Sequence, residues 1–324
     1  MMKKLYKQDL LLFIFSLVIF GIFQFLISER VLSSFWRLNI IVICINVILA
    51  ASLNLINGIT GQFSLGHAGF MAVGAYMSAV FTLFLQAPFI VSLLAGGIAA
   101  GILGFLIGLP TLRLQGDYLA IATLGLGEII RICILNTNAV GGASGLSGIP
   151  SETTFAWAFF VMVVTLFIIK NIVNSSHGRA CISIRENEIA AEAMGINTTK
   201  YKVFAFALGA VFAGFAGGLF SHYFTIAHPS SFTFMKSFDI LTMVVLGGLG
   251  SISGSIIGAL ILTFITAVLQ SYPEFRMIIY ALALIIMMLY RPNGILGNKE
   301  LSHYLLRWRK EDKLYDNPVA PQDK

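Results

Sequence analysis

The stretch "LINGITGQFSLGHAGF", residues 55–70, gathers Asn57, Gln62, Ser64 and His67 inside an otherwise apolar chain. Side chains of these types can bind a polar solute, satisfy backbone groups freed by a helix break, or form a catalytic set. The catalytic option needs partners that the chain does not offer. No H-E-x-x-H, paired-cysteine or G-x-S-x-G pattern occurs, so neither a metal hydrolase nor a serine nucleophile is visible. No G-x-x-x-x-G-K-[ST] loop occurs either, so the chain is not its own ATPase of that kind. His67 at a helix start reads first as a local hydrogen-bonding residue, with a substrate or proton role as the alternative. Ser64 can cap that helix through its hydroxyl. Gln62 has no local job, which makes it the better candidate for lining a path.

Further polar residues lie along neighbouring apolar segments. Asn39, Asn46, Asn54 and Asn57 are spaced seven, eight and three apart, which keeps them within an arc of about 80° on one helix face. That face either lines a water-filled passage or bonds across helices. Glu128 and Arg131 are three apart on one face, so each offsets the other's charge. An internal ion pair that pins the helix is one reading, and a gate lining is the other.

The elements that carry these residues follow from composition. Of 324 residues, 57% are hydrophobic and 11% charged, against about 25% charged in an ordinary soluble domain. Such a chain belongs in lipid, where backbone groups must pair internally and helices are the expected solution. The net charge of +6 does not signal nucleic acid, because the basic residues fall between apolar runs instead of forming a patch beside aromatics. Cys44, Cys133 and Cys181 show no paired spacing, so neither a disulfide nor a metal site is expected. The basic head and apolar run at the start resemble a signal peptide. Residues 10–27 are long enough to span, however, and no A-x-A cleavage pattern follows.

A span needs about 20 apolar residues. On that ruler the segments are 10–28, 38–56, 67–87, 89–109, 118–135, 155–174, 202–224, a short 238–250, 252–271 and 276–290. This predicts an all-α polytopic membrane bundle of about ten spans. With both termini inside, the cytoplasmic loops collect Lys3, Lys4, Arg113, Lys170, Arg179, Arg185, Lys200, Arg291 and the basic tail, leaving Arg30, Arg37, Lys236 and Arg276 outside. Glycines at helical spacing, such as Gly97 with Gly101 and Gly214 with Gly218, predict close helix packing. Two glycine-rich breaks, residues 57–69 and 245–258, predict repeated halves with discontinuous helices.

One hydrophilic segment stands apart, "HGRACISIRENEIAAEAMGINTTKYK", residues 177–202. It predicts a short helix with Ser183 and Glu186 as a capping box or Asn187 as the alternative cap, and Gly195 as its stop. Ile189, Ala190, Ala193 and Met194 form an apolar stripe beside Glu188 and Glu192. A membrane-surface helix would carry larger apolar residues and a basic face. Docking into a groove on another protein is the favoured reading.

The blocks "LNLINGITGQFSLGHAGFMAVGAY", "LRLQGDYLAIATLGLGEIIR", "GRACISIRENEIAAEAMGINTTKYK", "SSFTFMKSFDILTMVVLGGLGSISGSIIGA" and "RPNGILG" occur in this order from about residue 50 to 297. Together they resemble the permease family of bacterial branched-chain amino acid ABC importers, of the LivM type. The resemblance implies a multi-pass permease of the bacterial inner membrane, with no cofactor of its own and no enzymatic activity. It implies a second, LivH-like permease, two cytoplasmic ATPase subunits that use the ATP, and a periplasmic binding protein as partners. It implies that Glu188, Ile189, Glu192, Met194 and Gly195 belong to a coupling helix seated in the ATPase. Leucine, isoleucine or valine would enter the cytoplasm by alternating access. Residues 1–297 would form the permease domain, with the coupling loop at 175–201, and 298–324 a cytoplasmic tail. Asn46, Asn54, Asn57, Gln62, Ser64 and His67 are the candidates for the translocation path, and Glu128 with Arg131 for an intramembrane ion pair. The "AAEAMG" segment departs from the fuller loop of other ABC importers. Two alternatives stay open: the same mechanism with urea, an amide or another small polar cargo, or an ion-coupled secondary transporter. The outer loop 136–154 is flexible by composition and reads as a solvated connector or a contact for the binding protein.

Overall fold

The computed structural model describes residues 16–29 and 31–271, together with 278, 281, 282, 285, 289, 290 and 294–297. Most of the expected span 276–290, the tail 298–324 and the head of the first span lie outside the described residues. The helices are α1 (Ser16–Ser28), α2 (Ser34–Asn54), α3 (His67–Phe84), α4 (Phe89–Thr111), α5 (Asp117–Leu135) and α6 (Phe155–Asn174). They continue as α7 (Ser176–Glu186), α8 (Glu188–Ala193), α9 (Thr198–Phe224), α10 (Phe234–Gly247) and α11 (Ile252–Val268). Among the described residues, six helices are long and apolar enough to cross a membrane: α2 with its extension to Ile59, α3, α4, α5, α6 and α9. The chain is an all-helical, polytopic membrane bundle.

Small residues set the closest packing. In α3, a Cβ on Gly74 would lie 2.2 Å from Gly214 Cα of α9. A Cβ on Gly214 would in turn meet Gly96 and Gly97 of α4 at 2.9 Å. Alanine there would force the backbones apart, so glycine lets three helices touch main chain to main chain. The pairs Gly97 with Phe215, Gly101 with Val211 and Gly104 with Ala210 show α4 running antiparallel to α9. Phe70 against Phe206 and Thr82 against His222 show α3 running parallel to it. These directions match the alternation expected from the positions of lysine and arginine.

α2 lies deepest, with Ile45, Ile48, Leu49, Leu53 and Ile56 fully buried. It packs against α6, α9, α10 and α11. The outer loop 136–154 is more ordered than its composition suggested. Two 3-10 turns, Asn138–Val140 and Gly142–Ser144, lead to the strand Leu146–Ser147. That strand pairs antiparallel with Ile226–Ala227, just beyond α9. The glycines serve this geometry: Gly141 has φ +86°, and a Cβ there would lie 2.1 Å from the Gly145 carbonyl oxygen.

Candidate functional site

The C-terminal end of α2 widens into a π-helical turn, Leu55–Ile59, in which the Thr60 N–H donates to the Leu55 carbonyl at 3.3 Å. An irregular segment, residues 60–66, then leads into α3. Single π turns inside α-helices are frequent at functional sites. Here Gly58 explains the location. A Cβ would fall 2.3 Å from the Gly250 nitrogen, so glycine admits the second glycine-rich break, between α10 and α11, directly against the first.

Asparagines of this extended helix hold both breaks. Asn54 Oδ1 accepts from the Gly250 N–H at 2.8 Å and its Nδ2 donates to the Ser251 carbonyl at 3.0 Å. Asn57 treats the first break in the same way, accepting from the Ser64 N–H and donating to the Ser64 carbonyl, each at 3.2 Å. A carboxamide has one donor end and one acceptor end, so it replaces the peptide partner that a broken helix loses. Asn46 Nδ2 donates to Thr263 Oγ1 at 2.9 Å, and its Oδ1 accepts from Lys236 Nζ at 3.2 Å. Asn39 Nδ2 donates within its own helix, to the Phe35 carbonyl at 2.8 Å. Of the two readings of the asparagine face, bonding across helices describes Asn46 and Asn54, and Asn57 closes the break beside it.

Gln62, Ser64 and His67 differ. All three are buried, at 4%, 1% and 1% exposure. Residues 61–64 alternate exposed and buried, with Gln62 and Ser64 the buried ones. Both amide atoms of Gln62, the Ser64 hydroxyl and His67 Nδ1 have no hydrogen-bond partner among the described residues. Buried polar groups are normally paired, and leaving one unpaired costs about 1–3 kcal/mol. The tautomer of His67 depends on its neighbour. Ser52 Oγ has one proton to share between the Leu49 carbonyl at 3.0 Å and His67 Nε2 at 2.8 Å: given to Leu49 it leaves Nε2 the donor and Nδ1 a bare acceptor, and given to Nε2 it leaves Nδ1 the donor. Ser64 does not cap α3: the N-cap is Gly66, with no side-chain bond. That duty falls to distant hydroxyls. Ser237 Oγ accepts from the Ala68 N–H and Thr123 Oγ1 from the Leu65 N–H, each at 3.0 Å.

Arg131 Nε donates to Glu128 Oε2 at 2.7 Å. The second carboxylate oxygen accepts from the Phe234 N–H at 3.0 Å. Glu128 therefore sits at the N-terminus of α10, where free N–H groups and the helix dipole favour an acid.

In the hydrophilic segment 177–202, the expected single helix is two. α7 ends at Glu186, and Asn187 caps α8 by accepting from the Ala190 N–H at 3.0 Å. Ser183 donates to Ala180 instead of forming a capping box, so the alternative cap is the one used. Gly195 ends α8 with φ +82°. Ile189 and Met194 stand 81% and 83% exposed, and Ala190 and Ala193 are exposed with them. The acids are engaged within the chain: Glu188 pairs with Lys202, and Glu192 accepts from Thr198 Oγ1 at 2.6 Å. Cys181 of α7 is buried beneath the π turn. Burial pushes its thiol pKa up, against the opposing effect of a hydrogen bond with Thr60. The three cysteines are free, and no cluster of metal-ligating side chains occurs among the described residues.

Sequence reasoning missed Ser52, Thr123, Ser237 and Lys202. The three hydroxyls are single small polar residues in apolar helices, a pattern repeated along the chain, and nothing local marks the ones that reach across.

Residues 38–289 match the family described as branched-chain amino acid transport system / permease component. The high-affinity branched-chain amino acid transport system permease protein LivM of Salmonella typhimurium is 37% identical over 287 residues, 78% of this chain and 68% of that protein. LivM of Escherichia coli K12 matches to the same extent. The permease LivH of Escherichia coli K12 is 35% identical over 143 residues, 44% of this chain and 45% of its own length. No solved structure matches. The family match spans both glycine-rich breaks and the α7–α8 loop, and with it this multi-pass chain belongs to the branched-chain amino acid transport permease family, whose members are transport permeases and not enzymes.

Proposed function

We propose that this chain is the permease subunit of an ATP-driven importer that moves leucine, isoleucine or valine into the cytoplasm by alternating access. Its partners are a LivH-like second permease, two cytoplasmic ATPase subunits and a periplasmic binding protein. The chain crosses the bacterial inner membrane about ten times with both termini inside. The observation that carries this reading is α8. A capped six-residue helix offers Ile189 and Met194 almost fully exposed, while its acids are tied back to Lys202 and Thr198. The apolar face is left for a partner, as in helix-in-groove recognition. Exposed Ile189, Ala190, Ala193 and Met194 seat in the ATPase. Glu188 and Glu192 then act mainly by fixing the angle of α8 to α9, and any contact they make with basic groups of the ATPase is secondary. Gln62, Ser64 and His67 line the inner part of the path, where their unpaired atoms meet water or the polar end of the cargo.

The test is co-purification of the tagged chain with its transporter partners expressed alongside. The wild type retains the ATPase, and Ile189→Asp with Met194→Asp loses it. Absence of ATPase from the wild-type preparation under gentle extraction overturns the reading.

A further inference from the structure

The π turn has a second neighbour besides the glycine-rich break. Arg185, in the last turn of α7, extends its guanidinium to the turn, and Nη1 donates to the Gly58 carbonyl at 2.9 Å. The same guanidinium is held from behind by Glu186 Oε1, at 3.1 Å from Nε and 2.6 Å from Nη2. Gly58 lies at the C-terminal end of an interrupted helix, where carbonyls lack intrahelical partners and a cation is favoured. The approach is built into the chain. A Cβ on Gly61 would lie 2.8 Å from Arg185 Cγ, and Gly61 has φ +75°, so a side chain there would meet both strain and collision.

Packing joins the same two elements. Leu55 and Ile59 of the π turn form, with Cys181 of α7 and Ala205 of α9, a small apolar cluster separate from the main core. On the opposite side of the turn are Asn54 and Asn57, which grip the two breaks. The turn is therefore bonded to α7 on one side and to both breaks on the other. α8 follows α7 after the single residue Asn187.

We propose that Arg185 is a positioning residue that transmits displacement of α8 to the interrupted helices, by fastening α7 to the Gly58 carbonyl. The proposal rests on the reading of α8 as the seat of an ATPase. When α8 is pushed, α7 carries the π turn with it. Asn54 and Asn57 then pull on residues 250–251 and on Ser64, beside the unpaired atoms of Gln62 and His67. Arg185 touches neither nucleotide nor cargo.

The decisive measurement is the ATP hydrolysed per leucine imported by the complete transporter in proteoliposomes, with wild type, Arg185→Ala and Arg185→Lys compared. Arg185→Ala is expected to retain the ATPase but to raise the ATP used per leucine about tenfold, within the range over which single residues modulate coupling. Arg185→Lys keeps one donor for Gly58 and restores most of the ratio. An unchanged ratio in Arg185→Ala, with ATPase bound, overturns the relay and leaves the proposed function standing. Should Arg185→Ala fail to accumulate, Arg185→Lys decides alone: a ratio near wild type in an accumulating protein supports the relay, and a ratio raised about tenfold overturns it. If neither variant accumulates, Arg185 holds the fold and the relay is overturned. A wild-type transporter that retains no ATPase, or imports no leucine, overturns the proposed function and the relay with it.

Discussion

The two glycine-rich breaks meet at Gly58 and Gly250 and are gripped by the same chemistry, yet they are finished differently. The break between α10 and α11 is closed. Asn54 satisfies residues 250 and 251, Ser251 Oγ accepts from the Gly254 N–H at 3.0 Å, and Ser255 donates back to the Ser251 carbonyl. Glycines seal the two helices together, and Ile295 and Leu296 donate their N–H groups to the last carbonyls of α10. The break between α2 and α3 is open by comparison. Its backbone is clamped by Asn57, but four buried polar atoms over Gln62, Ser64 and His67 lack partners among the described residues. It also receives Arg185 from α7. Under the proposed relay, the two glycine-rich interruptions are a fixed joint and a working joint.

The sharpest way to break this comparison is to overpack the fixed joint. A Cβ on Gly258 would lie 1.9 Å from the Met243 carbonyl oxygen, so Gly258→Leu is expected to exceed the usual overpacking cost of about 1–3 kcal/mol. Monodisperse protein after detergent extraction should be lost. Next in size are the clamps. Asn54→Ala strands a donor and an acceptor and should cost about 2–4 kcal/mol, read as a lower midpoint of thermal unfolding in detergent. Asn57→Ala should cost less, because its bonds are longer, at 3.2 Å against 2.8 and 3.0 Å.

The working joint should respond in the opposite sense. Gln62→Leu removes two unpaired atoms without removing a bond present in the structure, so stability should rise by about 1 kcal/mol while leucine uptake falls severalfold. A variant both less stable and fully active would erase the distinction between the joints. The smallest effect belongs to a glycine outside either break. Gly125 of α5 has nothing within 4 Å of a would-be Cβ, so Gly125→Ala should stabilise the isolated chain by about 0.5–1 kcal/mol, seen as a small rise in the same midpoint.

Much of this was legible in the sequence because lipid imposes simple rules. Apolar run length located α4, α5 and α6 to within a few residues, and glycine spacing foretold the Gly97, Gly101 and Gly214 contacts. The asparagine face was visible from helical periodicity, and Asn187 and Gly195 from capping chemistry. What stayed hidden depends on three-dimensional neighbours. Ser64 looked like a cap because it precedes a helix, but Asn57 claims its backbone and Ser237 supplies the cap from 169 positions away. Glu188 and Glu192 looked available to a partner because charge on a short amphipathic helix is ordinarily exposed, and only the fold brings Lys202 and Thr198 to them. The outer loop looked loose because it is glycine-rich, whereas those glycines take the positive φ angles that let it fold back and pair.

α9 gives one more consequence. Its 27 residues form a single uninterrupted helix, about 40 Å long at 1.5 Å per residue. Its inner end is tied to α8 through Thr198 and Glu192. Beyond its outer end, Ala227 pairs with Leu146 and accepts from the Tyr76 hydroxyl at 2.8 Å. Between them, Gly214 lies backbone to backbone on Gly74 and Gly97. Packed on α3 from Phe206 to His222 and on α4 from Ala210 to Phe215, this stiff helix is a strut, so α8 and the strand pair cannot shift along its axis independently of each other.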